Sequence, residues 1–203
     1  MSEIVLYGAA LSGHSHRVSA LLTLLGLPFR MVETDGMARK TEEFLRMNAL
    51  GQIPVLVDGD LVLADSAAIL VYLAKRYDDA GTWYPEDPVG AARVQRWLAL
   101  AAGELRYGAA SARAMLRWSR PGDLEGAQQI AARLFTLMDG HLAHRLFLAA
   151  DYPTIADLAC YAYTARAPEG DISLAPYGNI RSWLSRVEAI PEFPPMPTLA
   201  SAA

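Results

Sequence analysis

Apolar and polar positions change their period several times along the chain, and each change marks an element. Residues 4–7 form a short apolar run that stops at Gly8, the pattern of a buried strand. Between residues 15 and 25 the apolar positions Val18, Leu21, Leu22 and Leu25 recur at helical spacing. Gly26 and Pro28 stop that helix, and residues 29–33 then alternate in the manner of a second strand. Strand, helix and strand in this order predict a βαβ unit with parallel pairing. Thr41 can cap a short helix reaching about Asn48. Residues 53–57 and 61–63 read as a hairpin about Asp58-Gly59-Asp60. Asp65 or Ser66 then caps a helix whose apolar positions are Ile69, Leu70, Leu73 and Tyr77.

The resulting order, βαβ-α-ββ-α on a mixed sheet, predicts a thioredoxin-like α/β domain over residues 1–78. Residues 78–88 carry Asp, Gly and two prolines and mark a linker. No strand pattern follows. Helices are predicted over 89–107, around 109–118, and over 124–144, 155–165 and 180–189, so residues 88–203 form an all-α domain. The tail from Pro191 has four prolines in seven residues and reads as a frayed end, with an extended lid over the site as the alternative.

Composition narrows the function. With 53% hydrophobic and 20% charged residues, the 203-residue chain has apolar surface enough for a real core. A net charge of −4, with no Lys/Arg cluster, argues against a nucleic-acid partner. Apolar stretches are broken by Arg, Glu and Gly well before 18 residues, so no membrane span is expected. The single cysteine, Cys160, excludes an internal disulfide and a thiolate metal cluster, and the first residues run directly into a strand without signal-peptide architecture. These features fit a cytoplasmic protein that handles a small molecule. Motifs of other chemistries are missing: the chain has no Gly-Lys-Ser phosphate loop, no GxGxxG after a strand, no HExxH and no GxSxG.

Three places carry candidate chemistry. The loop Leu11-Ser12-Gly13-His14-Ser15 sets hydroxyls at a helix start, where they can steady an anion or cap the helix. The segment Gly51-Gln52-Ile53-Pro54-Val55 puts a proline at a strand entry, and Asp65-Ser66 opens a helix, an ordinary N-cap taken alone. In sequence order they resemble the cytosolic glutathione transferases over essentially the whole chain. The resemblance rests on Tyr7-Gly8, Leu11-Ser12-Gly13, Leu25-Gly26-Leu27-Pro28, Phe44 with Asn48, Gly51-Gln52-Ile53-Pro54-Val55-Leu56 and Asp65-Ser66-Ala67-Ala68-Ile69.

The resemblance implies an enzyme that binds glutathione as co-substrate, without a metal, and activates its thiol for attack on a hydrophobic electrophile. It implies that Pro54 is cis, that the Val55 backbone pairs with the cysteinyl part, and that Ser66 and its amide hold the γ-glutamyl carboxylate. Asp65 would face the γ-glutamyl ammonium, and Gln52 with Arg39 or Lys40 the glycyl carboxylate. The activating hydroxyl is Ser12, as in theta-like and bacterial members of the serine type, with Tyr7 the alternative. Lowering a thiol pKa by two units from about 8.5 takes roughly 2.7 kcal/mol, within reach of one charge-assisted hydrogen bond of about 1.5–3 kcal/mol at a helix start. Ser15 stands where relatives often have cysteine, which speaks against mixed-disulfide chemistry, and Ala49 stands where they commonly have proline.

The electrophile pocket is expected from Leu11, His14, Tyr107, Met115 and Trp118, with Arg106 and Arg113 as further candidates. In the second half, Thr154 with Asp157 looks like the family's helix capping box, while Cys160, Tyr161, Tyr163 and Trp183 read as core. His141 and His144 lie at i, i+3 without a carboxylate partner and read as a solvated face. The family resemblance also implies a homodimer. Two further readings share the scaffold: a glutathione-dependent peroxidase or isomerase, and a non-catalytic glutathione-binding or assembly protein.

Overall fold

The structure, a computed structural model, describes residues 3–198. The chain divides into two compact units, Met1–Asp79 with Pro191–Ala203, and Ala80–Ile190. The tail therefore belongs with the first unit, although it follows the helical segment in sequence.

The first unit is the α/β domain the sequence predicts. Strand β1 (Ile4–Gly8) leads through a turn to helix α1 (Gly13–Leu24) and strand β2 (Phe29–Glu33). A single 3-10 turn, Ala38–Lys40, precedes the short helix α2 (Glu42–Met47), which Thr41 caps. Strands β3 (Val55–Asp58) and β4 (Leu61–Ala64) form the hairpin, and helix α3 (Ser66–Tyr77) closes the unit. The sheet order is β2-β1-β3-β4. β1 pairs parallel with β2 from Ile4 opposite Phe29, and antiparallel with β3, where Tyr7 faces Val55. Asp58 faces Leu61 across a two-residue connection in which Gly59 takes a positive φ. Helices α1 and α3 pack together, and Leu6, Val18, Leu21, Leu22, Val55, Leu56, Ile69, Leu70 and Leu73 make the core.

Three features of this unit tie the hairpin, the helices and the tail. Tyr72 and Tyr77 on α3 both donate to Asp58 Oδ2 at the end of β3, at 2.8 and 2.5 Å. Gly26 ends α1 with φ +64°, as a helix stop requires. The tail over residues 191–198 is packed rather than frayed. Phe193 and Met196 are buried, the Phe193 ring meets the His16 ring of α1 edge-on at 6.0 Å, and His16 Nε2 lies 2.7 Å from the Pro194 carbonyl oxygen. Two apolar side chains between the prolines supply the burial that a polar end would lack. Residues 199–203 lie outside the described residues.

The second unit is all helix among its regular elements: α4 (Pro88–Leu100), a π-helical stretch Ala101–Ala110, α5 (Ser111–Trp118), α6 (Leu124–Leu142), α7 (Ile155–Ala165) and α8 (Gly178–Glu188). Helical structure runs from Pro88 to Trp118, so the break expected at Gly108 does not occur. Gly108 is instead a packing residue: a Cβ there would sit 2.8 Å from the Ala131 nitrogen of α6. The glycine lets two helices approach, and the wider i→i+5 turns carry the chain through.

The capping box is present. The buried Asp157 carboxylate accepts from the Thr154 and Leu148 amides at 2.9 and 3.0 Å and from Trp183 Nε1 at 2.9 Å. Burial pushes its carboxyl above the ordinary range, opposed by those hydrogen bonds. Cys160, Tyr161, Tyr163 and Trp183 are core residues. His141 corrects the expected solvated face. It is half-buried, its ring meets Trp97 at 5.0 Å and its Nε2 lies 2.8 Å from the Leu148 carbonyl oxygen, while His144 is exposed. Burial lowers the His141 pKa.

Candidate active site

The loop after β1 is a closed circuit of hydrogen bonds around Ser12. The Ser12 amide donates to the Ala9 carbonyl at 3.0 Å, the Ala9 amide donates to Ser15 Oγ at 3.2 Å, and the Ser15 amide donates to Ser12 Oγ at 3.3 Å. Ser12 is thus the N-cap of α1, its φ and ψ in the extended region that a cap requires. Capping occupies one lone pair of the Ser12 oxygen and leaves the hydroxyl with a proton to donate, so the structural and the chemical readings are compatible. Glu33 at the end of β2 accepts from the Ala10 amide at 3.2 Å and holds the same turn from the other side.

Tyr7, the alternative hydroxyl, lies within β1 with its ring edge-on to Phe44 of α2 at 6.4 Å.

The start of α3 is the second part of the site. Asp65 caps it, with Oδ1 accepting from the Ala67 and Ala68 amides at 2.8 and 3.1 Å. Its φ of +74° is a left-handed value for a residue with a Cβ, and such positions cost about 1–3 kcal/mol. The buried Ser66 follows as the first helical residue. Arg17 Nη1 donates to Ser66 Oγ at 3.3 Å, and His14 Nδ1 lies 3.4 Å from the same oxygen. The N-terminus of α3, one buried guanidinium and one imidazole therefore meet at Ser66, an arrangement that favours a carboxylate. Arg17 was not singled out in the sequence. Its signal was present: it lies three residues after His14, hence on the same helix face, in a helix otherwise buried nearly all round.

The third part is the loop before β3. The Ile53–Pro54 peptide is cis. Val55 is flanked by Tyr7 on one side and Ala64 on the other, so its backbone is committed to the sheet. Ile53, which precedes β3, is the residue of this pair whose backbone lies outside the ladders. Gln52 is exposed, and Asn48 Nδ2 donates to its carbonyl at 2.8 Å. The Arg39 turn lies against this loop: a Cβ on Gly51, whose φ is +60°, would be 3.2 Å from the Arg39 carbonyl oxygen. Arg39, Lys40 and the Gly51-Gln52 loop are thus neighbours. Asp35 starts the turn by accepting from the Met37 and Ala38 amides, which hold its carboxyl below the ordinary range.

The residues expected to line an electrophile pocket fare unequally. Leu11 and His14 are half-buried beside Ser12 in sequence. In the second unit Tyr107 is 57% exposed on the π-helical stretch, and Trp118 is exposed at the end of α5. Met115 packs on the loop at Gly122. Arg113 is a core residue, 2% exposed, with Nε donating to Glu169 at 2.7 Å and its guanidinium 4.8 Å from the Trp118 ring centre. Its partner lies 56 positions away, so an isolated arginine on a helix gave no sign of its burial.

Among the described residues no group of three or more His, Cys, Asp or Glu is placed to hold a metal ion, and no helix is long and apolar enough to cross a membrane.

Comparison with known proteins identifies the family. Residues 6–81 match the family model for the glutathione S-transferase N-terminal domain, and residues 114–191 that for the glutathione S-transferase C-terminal domain. Glutathione S-transferase 3 of Zea mays is 32% identical over 95% of this chain and 92% of its own length. Glutathione S-transferase theta-2 of Rattus norvegicus is 33% identical over 75% and 67%. The crystal structure of a glutathione S-transferase from Pseudomonas fluorescens superposes with a TM-score of 0.90 at 31% identity, covering 96% of this chain and 99% of that one. A glutathione transferase homologue from Drosophila mojavensis, solved with bound glutathione, gives 0.84 at 25% identity, covering 95% and 92%. With its thioredoxin-like first unit, its helical second unit and its agreement with these relatives, the chain belongs to the cytosolic glutathione S-transferase family and is a glutathione transferase.

Proposed function

We propose that this enzyme conjugates reduced glutathione to a hydrophobic electrophile and that the Ser12 hydroxyl donates the hydrogen bond that stabilises the thiolate. The observation that carries this reading is the circuit around Ser12: its oxygen takes the Ser15 amide at the head of α1, which leaves the hydroxyl proton for the sulfur. Ser66 and its amide take the γ-glutamyl carboxylate, with Arg17 behind them, and Asp65 takes the ammonium. The Ile53 backbone before Pro54 takes the cysteinyl part in place of Val55, and Gln52 with Arg39 or Lys40 the glycyl carboxylate. Leu11, His14, Tyr107, Met115 and Trp118 stay assigned to the electrophile, and Arg113 leaves that set for the core.

The first unit binds glutathione, and the second supplies electrophile and dimer contacts. A second copy as partner is supported by Leu50, exposed to 76%, and by the exposed Val62 at the sheet edge. The cytoplasm is the proposed compartment.

The test is conjugation to a chloronitroaromatic electrophile together with calorimetric titration of glutathione. Ser12→Ala should lose about 10- to 100-fold in turnover, the equivalent of one charge-assisted hydrogen bond, and still bind glutathione. Tyr7→Phe should stay within about threefold of wild type, since it removes no such bond. Loss in Tyr7→Phe alone would overturn the Ser12 assignment. Glutathione binding without turnover in the wild type would favour the non-catalytic reading.

A further inference from the structure

We infer that Ser15 is a positioning residue for thiol activation, aiming and polarising the Ser12 hydroxyl; this rests on the assignment of Ser12 above. A helix cap needs only the bond from the Ser15 amide to Ser12 Oγ. Here the same residue also acts through its side chain, since Ser15 Oγ accepts the Ala9 amide at the start of the turn. The Ser12 amide completes the ring on the Ala9 carbonyl. Ser15 therefore holds Ser12 from both sides, by its backbone and through Ala9.

Two further observations set Ser15 apart from an incidental helix serine. It is 0% exposed, so its hydroxyl oxygen sits where water does not compete for the Ala9 amide. The neighbouring strand also makes room for it. A Cβ on Gly8 would lie 2.7 Å from Ser15 Oγ and 2.9 Å from its Cβ, so any side chain at residue 8 would displace the hydroxyl. The glycine at the end of β1 is there for close approach.

The chemical consequence concerns the direction and strength of donation. A hydroxyl oxygen that already accepts an N–H becomes a better donor through its own O–H, because linked hydrogen bonds polarise one another. Fixing that N–H also fixes which side of Ser12 Oγ remains for its proton. Without the Ser15 hydroxyl the Ala9 amide loses its acceptor, the turn keeps only the Ser12 amide on the Ala9 carbonyl and the Ala10 amide on Glu33, and the Ser12 oxygen gains freedom to rotate away from the sulfur.

The experiment measures the pKa of the glutathione thiol in the complex, by ultraviolet thiolate absorbance against pH, for wild type, Ser12→Ala, Ser15→Ala and Ser15→Cys, all kept reduced. Ser19→Ala serves as control, because its hydroxyl bonds back to the His16 carbonyl on the same helix. Calorimetry gives glutathione affinity in parallel. The expected result is that Ser15→Ala raises the bound thiol pKa by about one unit, about tenfold less thiolate between the two values, while glutathione affinity stays within about twofold. Ser15→Cys, which keeps a weaker acceptor, falls between Ser15→Ala and wild type, and it carries the same test should the alanine variant lose its native melting transition. Ser19→Ala matches wild type. A thiol pKa unchanged in Ser15→Ala but raised in Ser12→Ala would overturn the role of Ser15 alone. A pKa unchanged in Ser12→Ala would remove the activating serine and the positioning role with it. Weaker glutathione binding at an unchanged thiol pKa would show Ser15 to be structural only.

Discussion

Replacing Asp157 with alanine should unfold the second unit at a markedly lower temperature. The carboxylate is fully buried and serves three N–H donors, from Leu148, Thr154 and Trp183, of which the Leu148 and Trp183 groups converge on Oδ1. Alanine leaves all three without that acceptor, and each buried unsatisfied group costs about 1–3 kcal/mol. Part of the loss is offset, because the substitution also removes a carboxylate that burial pushes toward its neutral form. Breaking a buried charged network from one side typically costs about 3–5 kcal/mol, which for a chain of this size lowers the midpoint by roughly 10 °C or more. Asp157→Asn sharpens the test. Its carbonyl can take the place of Oδ1 and keep Leu148 and Trp183, while its amide group faces the Thr154 N–H and loses the capping box. Asparagine also carries no charge to desolvate, so about 1–2 kcal/mol should suffice. Thermal unfolding followed by far-ultraviolet circular dichroism should therefore order the proteins wild type, Asn, Ala. Equal loss in both variants, or less than about 1 kcal/mol in Asp157→Ala, would refute the account of the carboxylate as a shared acceptor.

Two further outcomes follow from the packing. The hydrogen bond to Asp58, with burial second, pushes the Tyr77 phenol up to about 12, so the proton is held more tightly in the folded state than in the unfolded one. The stability it contributes is complete below the ordinary tyrosine pKa of about 10 and is lost as pH rises through about 12. Ultraviolet phenolate titration should show this late-titrating tyrosine in wild type and an earlier one in Asp58→Asn; identical curves would disprove the link. Gly108→Ala should destabilise by about 1–3 kcal/mol in urea unfolding despite alanine's better helix propensity, because the new Cβ meets backbone atoms of Ala131 that cannot swing aside. A gain in stability would mean that the helices have room to spare.

Much of the first unit was legible in the sequence because its signals are local. Period changes, Gly26, Thr41, the Asp58-Gly59 turn and the Asp65 cap each act over a few residues, and the structure has them in place. What was not legible depends on pairs far apart in the chain. Arg17 meets Ser66 across 49 positions, Arg113 meets Glu169 across 56, and His16 meets Pro194 across 178. A lone Arg or His has the same local appearance whether it faces solvent or a buried partner, so Arg113 read as a pocket residue and His141 as solvated. Gly108 misled for a related reason. A glycine that breaks a helix and one that admits a neighbour differ only in what lies opposite.

The docking of residues 191–198 on α1 makes the helical unit an insertion within the first unit's own chain. During synthesis the sheet and its three helices can assemble early, yet the face of α1 at His16 stays uncovered until more than a hundred further residues of Ala80–Ile190 have emerged. Domains generally fold as units in order from the N-terminus, and here the first to start is the last to be complete. A chain stopped before Pro191 would leave that helix face bare, one residue from Ser15, so α1 is fully packed only once the tail has been made.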